Sequence, residues 1–456
     1  MAPPSRPLTR NPISLIGAAI VTMTAFVFLL VFLLDVFGMH TNPYLGLVFF
    51  VLLPALFVAG LVLIPIGMLL ERRRIAAGRP AMEWPRVDLN VARHRRVVLA
   101  VAMLTLVNAL IVSLAAYRGM EFMDSPAFCG QVCHRVMEPE FVAYKAWPHA
   151  QVPCVDCHVG PGPQGFLRAK LNGTRQLISL ARGTYPRPVP SPVHNLRPAR
   201  ETCEQCHWSE KFHGDKTRII KEYSNDEANT ESVTRLLVHV GGGSERSGLA
   251  SGIHWHMNIG NDVEYVAADA QRQVIPFVRL RDRQGNVREY RAPAVAAGQV
   301  PPGERRHMDC VDCHNRPSHS FYPSAERAVD TAMGRGEIPR TLPFARREAI
   351  DALKQPYPDR DAAASDIARR LRAFYGSGAA AIPAGRSGEV DQAVAAAQRL
   401  YAANVFPGMK VVWGSHLSNL GHTDAPGCFR CHDDLHKTAD GRVIKQDCDL
   451  CHDIQQ

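Results

Sequence analysis

All twelve cysteines of this 456-residue chain fall between Cys129 and Cys451, always in pairs, and a histidine follows the second member of every pair. The sites are Cys129/Cys133/His134, Cys154/Cys157/His158, Cys203/Cys206/His207, Cys310/Cys313/His314, Cys428/Cys431/His432 and Cys448/Cys451/His452. Two thiols at this spacing can add to the vinyl groups of a haem, and the adjacent imidazole is then carried onto the iron as proximal ligand. Zinc ribbons and disulfide pairs also use paired cysteines, but neither needs a histidine after every pair. With 19 histidines in the chain, six such coincidences by chance have odds on the order of 10⁻⁸. The pattern predicts six covalently bound haem c groups. The first motif is irregular: Gly130, Gln131 and Val132 separate its cysteines, where the other five have two intervening residues.

An electron-transfer iron takes a second axial ligand. Among the histidines outside the motifs, His149, His213, His254, His256, His319, His422 and His436 lie in segments dense with haem motifs and are the favoured distal ligands. His194, His239, His307 and His416 are second choices. For the first haem the nearest candidate is Met137, three residues after His134. A methionine sulfur would raise the reduction potential there. His254 and His256, if the backbone between them is extended, point to one face and could instead share a transition metal.

These ligands must be carried by something, and the first 117 residues differ in kind from the rest. Residues 13–37 hold one charge, Asp35, and residues 44–70 and 97–117 hold none. Each is long enough to cross a bilayer as a helix, which takes about 20 residues. The first run is too long for the apolar core of a signal peptide, about 7–15 residues, and no cleavage pattern follows it. Arg6 and Arg10 precede the first span, and eight arginines from Arg72 to Arg96 fill the loop between the second and third. Arginine enrichment marks the cytoplasmic side. The N-terminus is therefore expected in the cytoplasm and everything after Arg118 on the periplasmic or extracytoplasmic face.

The formal charge of +9 is mostly this anchor, with +3 left for the outer part. Haem propionates would turn that remainder acidic, so nucleic acid is excluded as a partner.

The expected fold is mainly α. A three-helix transmembrane anchor occupies residues 1–120, and an extracytoplasmic multihaem domain with little regular structure follows. Within the latter, residues 121–214 hold three haems, 215–300 a small β-rich insert, 301–323 the fourth haem and 411–456 the last two. Residues 324–410 show alanine-rich helical periodicity, as in Asp361–Tyr375 and Val390–Ala403. The haems are expected to replace much of the usual apolar core.

The sequence resembles the NapC/NirT family of membrane-anchored multihaem quinol dehydrogenases. The likeness is densest from Ser125 to Gly214, in Cys129–His134, Pro148-His149, Cys154–His158 and Cys203–His207, and extends more loosely through Cys310–His319 and Pro426–His452. It implies a first haem at the membrane surface beside a quinol pocket, a methionine ligand falling on Met137, and a quinol-holding lysine falling on Lys170. Three departures stand out: the longer first motif, three spans where the family has one, and Gln176 and Leu177 where an acid would follow Lys170. Glu121, Asp124, Glu138 and Glu140 are the acids near the first haem that could take protons.

The resemblance points to oxidation of the membrane quinol pool, with electrons leaving toward an extracytoplasmic cytochrome or reductase. A terminal reductase of a small nitrogen oxide and a pure relay subunit are the two alternatives.

Overall fold

A long uncharged run can satisfy its backbone only within itself when it sits in lipid, and a helix does so turn by turn. The computed structural model describes residues 11–36, 53–79, 88–132, 134–159, 162–193, 198–208, 212, 214–241, 252–257, 260–377 and 380–455. In it the N-terminal region forms α1 (Pro12–Val36), α2 (Leu53–Ala76) and α3 (Ala92–Asp124). There follow α4 (His134–Ala146), α5 (Cys154–His158), α6 (Gly162–Arg182) and α7 (Ala199–Cys203). Next come β1 (Asp215–Tyr223), β2 (Glu231–His239), β3 (Asp262–Ala267), β4 (Phe277–Arg281), β5 (Val287–Arg291) and β6 (Glu304–His307). The rest comprises α8 (Cys310–Cys313), α9 (Ala325–Gly334), α10 (Ala345–Leu353), α11 (Arg360–Gly376), α12 (Ser387–Asn404) and β7 (His452–Gln455). The chain divides into two units, Met1–Asp124 with His158–Gly183, and Ser125–Cys157 with Thr184–Gln456.

In the first unit α1 and α2 pack through glycine. A Cβ on Gly17 would stand 2.7 Å from the Gly60 carbonyl, and one on Gly60 would stand 2.9 Å from the Gly17 carbonyl. Small residues of this kind let helix backbones approach closely in lipid. Ser14 Oγ donates to the Ile64 carbonyl at 2.8 Å and fixes the register of the pair. On α2 the side chains of Leu56, Val58, Leu61, Val62 and Ile66 are exposed. An apolar face left open on that scale suits hydrocarbon rather than water. Helices thus lie at all three places expected of spans. By length and apolarity, one of them among the described residues, Ala55–Ala76, qualifies to cross a bilayer.

The second unit has more regular structure than its motif density suggested. Strands β1, β2 and β7 form an antiparallel sheet in that order, in which Val238 pairs with His452. A second antiparallel sheet has the order β5-β4-β3-β6. Helices α9 to α12 bury Val329, Leu342, Leu353, Ile367, Leu371 and Val394 in one apolar core. Side-chain caps fix the starts of α9 and α11: Ser324 accepts from Arg327 N and Asp359 from Ala362 N. This core is protein alone, so haem replaces no packing there.

Both sheets end at motifs. Strand β6 leads into α8, whose Asp312 is buried and accepts from the Tyr265 hydroxyl on β3 at 2.6 Å. Strand β7 begins with His452 itself. The strands therefore act as the rigid supports of the fourth and sixth motifs.

Candidate functional site

The described motifs share one local geometry. The His207 and His314 amides donate to the Cys203 and Cys310 carbonyls at 2.7 Å, and His432 to Cys428 at 3.1 Å. Each motif is a short helical turn, which brings thiols three residues apart to the same side with the histidine next in line. The first motif cannot follow this pattern with its additional residue. Phe128–Val132 instead form a single π-helical turn, the conformation that absorbs one inserted residue. Gly130 is buried within it, and a Cβ there would lie 2.1 Å from the Phe141 ring. Cys133 lies outside the described residues.

Motifs three, four and five are tied together. Asp309 caps α8 and also accepts from the Ala199 amide of α7 at 2.6 Å. Cys203 and Cys310 lie side by side. Arg430 donates to the Asp312 carbonyl at 2.7 Å, joining motif five to motif four.

Two of the expected thioether residues stand apart from this cluster. Cys206 and Cys448 are exposed, whereas the other described cysteines are partly buried. Helix α7 ends at Cys203, and Cys206 follows in the turn beyond it, its amide donating to the Cys203 carbonyl at 3.1 Å. Cys203 thus meets the Cys310 thiol of the next motif, while Cys206 of its own motif faces solvent. Helix α7 is anchored at its start, where the Ala199 amide donates to Asp309.

Four histidine pairs face one another. Ring centres are 6.1 Å apart for His149 and His207, 6.3 Å for His254 and His314, 5.9 Å for His256 and His432, and 6.1 Å for His422 and His452. In every pair one member belongs to a motif and the other is an expected distal ligand. Their interplanar angles differ widely, at 74°, 5°, 85° and 24° respectively.

Four of these rings are also oriented by their other nitrogen. Nδ1 lies 3.0 Å from the Pro317 carbonyl in His149, 3.0 Å from Val240 in His254, 3.2 Å from Ile253 in His256 and 2.8 Å from Lys445 in His432. A ring anchored by Nδ1 to a carbonyl keeps the Nε2 lone pair for a metal. Burial holds His254 and His314 below the usual histidine pKa, and burial with the facing His432 brings His256 down to about 4. Neutral imidazole is the ligating form. Beside His256, His432 and Cys431 opens a cavity of about 810 Å³, walled by Leu280 and Met308. Its size is that of a cofactor site.

The segment around Trp255 is a tight 3₁₀ turn, Trp255–Met257, rather than extended chain. His254 and His256 consequently face different motif histidines, not one shared metal. No cluster of three or more metal-ligating side chains occurs among the described residues.

The other expected ligands fare differently. Both nitrogens of His436 are occupied: Nδ1 lies 2.9 Å from Asp433 and Nε2 2.7 Å from the Ile275 carbonyl. That buried ring is thus engaged with protein oxygens at both nitrogens. His319 has Nδ1 on the Glu140 carbonyl at 2.9 Å, the same anchoring as the paired rings. His213 lies outside the described residues. Met137 is one turn beyond His134 on α4, and Lys170 is at mid-length of α6. Glu138 forms an ion pair with Arg360, and Glu140 accepts two hydrogen bonds from Arg316 Nη2, at 3.0 and 2.7 Å.

The family model described as NapC/NirT cytochrome c family, N-terminal region, matches residues 92–188. Over 448 residues the chain is 38% identical to the cytochrome c-type protein ImcH of Geobacter sulfurreducens, covering 97% of this chain and 88% of that protein. The chain belongs to the NapC/NirT cytochrome c family. No solved structure matches it. Membership makes it a membrane multihaem cytochrome of electron transport with covalently bound haem c. The residues present fit that cofactor: paired thiols on a short turn, a neighbouring imidazole, and a second imidazole held opposite.

Sequence reasoning alone left the NapC/NirT chain's histidine partners open. The one local signal it offered was His254-Trp255-His256, two candidate ligands too close together to serve the same iron from opposite sides.

Proposed function

We propose that this cytochrome is a hexahaem quinol dehydrogenase that takes electrons from the membrane quinol pool and delivers them to an extracytoplasmic cytochrome or reductase. The observation that carries the reading is the first motif, a π-turn with a widened thiol spacing that begins four residues after α3 ends, within the family-matched region. Departures from regular helix of this kind concentrate at functional sites. Three spans, with the arginine-rich loop inside, would place residues beyond α3 outside the cytoplasm.

Haem c, when bound, supplies a one-electron carrier at each motif. The chain's own work is to hold those carriers and to manage the quinol and its protons. A quinol that gives up two electrons also sheds two protons, so the entry site needs a group able to accept them. Glu138 and Glu140, paired to Arg360 and Arg316, also support the first-motif helix, and they stand with Glu121, paired to Arg118, and Asp124 as the carboxylates to test. Lys170 is kept as the quinol-holding residue the resemblance implies. Because Met137 and His134 stand one turn apart on the same helix, they are alternatives for one side of an iron and not partners across it. His149, His254, His256 and His422, with His319 as a fifth, form the distal set, and His436 leaves it.

Stopped-flow haem reduction by menaquinol and ubiquinol analogues in detergent tests the reading. The wild type is reduced, and Lys170→Ala slows the reaction about tenfold, the effect of one lost hydrogen bond of about 1.4 kcal/mol. A wild type that dithionite reduces and quinols do not is a relay subunit, and the reading falls.

A further inference from the structure

We propose that the four facing histidine pairs are the axial ligand sets of four irons, and that the single turn Ile253–Met257 supplies distal ligands to two neighbouring ones with opposite ring orientation. A metal held between two imidazoles at about 2.0 Å from each nitrogen, with each ring centre roughly 1.1 Å further back, separates the centres by roughly 6.2 Å. The four pairs stand at 5.9–6.3 Å.

The nearly parallel His254 and His314 stand 6.3 Å apart and the nearly perpendicular His256 and His432 5.9 Å apart, so the spacing stays close to the metal-bridged value at both extremes of tilt. In each pair a motif histidine faces a histidine from outside the motifs, and His149, His254, His256 and His432 have Nδ1 on a carbonyl, which leaves Nε2 for a metal. Three of the pairs lie wholly outside residues 92–188, so the family match does not assign them.

The tandem follows from the 3₁₀ turn. His254 and His256 leave it in different directions, toward motif four and motif five, which Arg430 already joins. Two irons are thereby linked through three consecutive residues, His254-Trp255-His256. Their ligand planes differ: 5° for His254/His314 and 85° for His256/His432. Ring orientation sets the splitting of the iron d orbitals. Parallel imidazoles give a rhombic low-spin ferric signal, and crossed imidazoles a strongly anisotropic one.

The inference rests on the multihaem reading but not on quinol oxidation, because its readout is the resting oxidised holoprotein. Electron paramagnetic resonance of the wild type is expected to show both low-spin signals. His254→Ala removes one haem equivalent from the rhombic signal, His256→Ala removes one from the anisotropic signal, and each gains a high-spin signal at unchanged total haem. His307→Ala, which alters an exposed ring outside the pairs, leaves both signals whole. Should an alanine variant lose haem altogether, His254→Met and His256→Met keep an axial ligand and raise the potential of that one haem. The proposal is overturned if either alanine or methionine variant leaves its signal and potential unchanged, if both draw on the same signal, or if His307→Ala removes one. A protein with these signals intact that no quinol reduces would sink the quinol reading alone.

Discussion

His254 and His314 hold their rings 5° from parallel with centres 6.3 Å apart. The separation is maintained from both ends. Nδ1 of His254 is fastened to the Val240 carbonyl at 3.0 Å, and His314 follows a capping box in which Asp309 and Asp312 clamp the start of α8. Each ring is thereby set by its own backbone anchor, and the gap between them is a property of the scaffold.

That scaffold predicts the effect of Asp312→Ala. Asp312 is buried and accepts from the Tyr265 hydroxyl at 2.6 Å and from Arg306 at 3.3 Å. Its removal leaves a buried hydroxyl without its acceptor and takes from the partly buried Arg306 one of its two carboxylate partners, Glu304 remaining, at a cost of about 2–3 kcal/mol. Thermal unfolding of the holoprotein followed by circular dichroism should show a lower midpoint, with Asp312→Asn falling between the two. An unchanged midpoint for Asp312→Ala would contradict the assigned support.

The first motif is expected to tolerate no side chain at Gly130. A Cβ there meets the Phe141 ring at 2.1 Å, so Gly130→Ala must displace α4 or the π-turn, costing about 1–3 kcal/mol. Intact-mass spectrometry should find one haem fewer on a substantial fraction of the protein, with the remaining sites filled. Full attachment in the variant would show that the turn adapts.

His436→Ala separates a structural histidine from the ligating ones. The ring bridges Asp433 and the Ile275 carbonyl, so its loss is expected to destabilise the outer unit by about 2 kcal/mol. Low-spin haem signals should keep their full intensity. If one is converted to high spin, His436 is a ligand after all.

Acid should weaken the helical segment in a defined window. The Arg386 guanidinium, helped by the Thr341 hydroxyl, lowers the Glu389 carboxyl from 4.5 to about 2. A carboxylate depressed in the folded state adds stability above its unfolded pKa, and that contribution disappears as pH falls through the folded value. The midpoint difference between wild type and Glu389→Gln should therefore be constant above about pH 5 and shrink steadily toward pH 2. A difference independent of pH would mean that the ion pair adds nothing.

Much of this protein was legible in its sequence because the relevant chemistry is local. Two thiols and an imidazole within five or six residues define an attachment site wherever the chain places it, and uncharged runs declare helices by composition. The helices Arg360–Gly376 and Ser387–Asn404 enclose the alanine-rich stretches expected as Asp361–Tyr375 and Val390–Ala403, because spacing along one face is also a local property. Spacing does not report burial, however, and the equal look of the motifs hid that Cys206 is exposed while Cys203 is partly buried beside Cys310. What tertiary structure also decided is which histidine stands across from which. His256 meets His432 because a 3₁₀ turn after β2 directs it there and the fifth motif is tied back to the fourth through Arg430. His436 looked like a ligand by position, and a carbonyl on a distant segment occupies the nitrogen it would have used. Axial pairing joins residues whose separation in sequence carries no constraint on their separation in space, so only the folded backbone could set it.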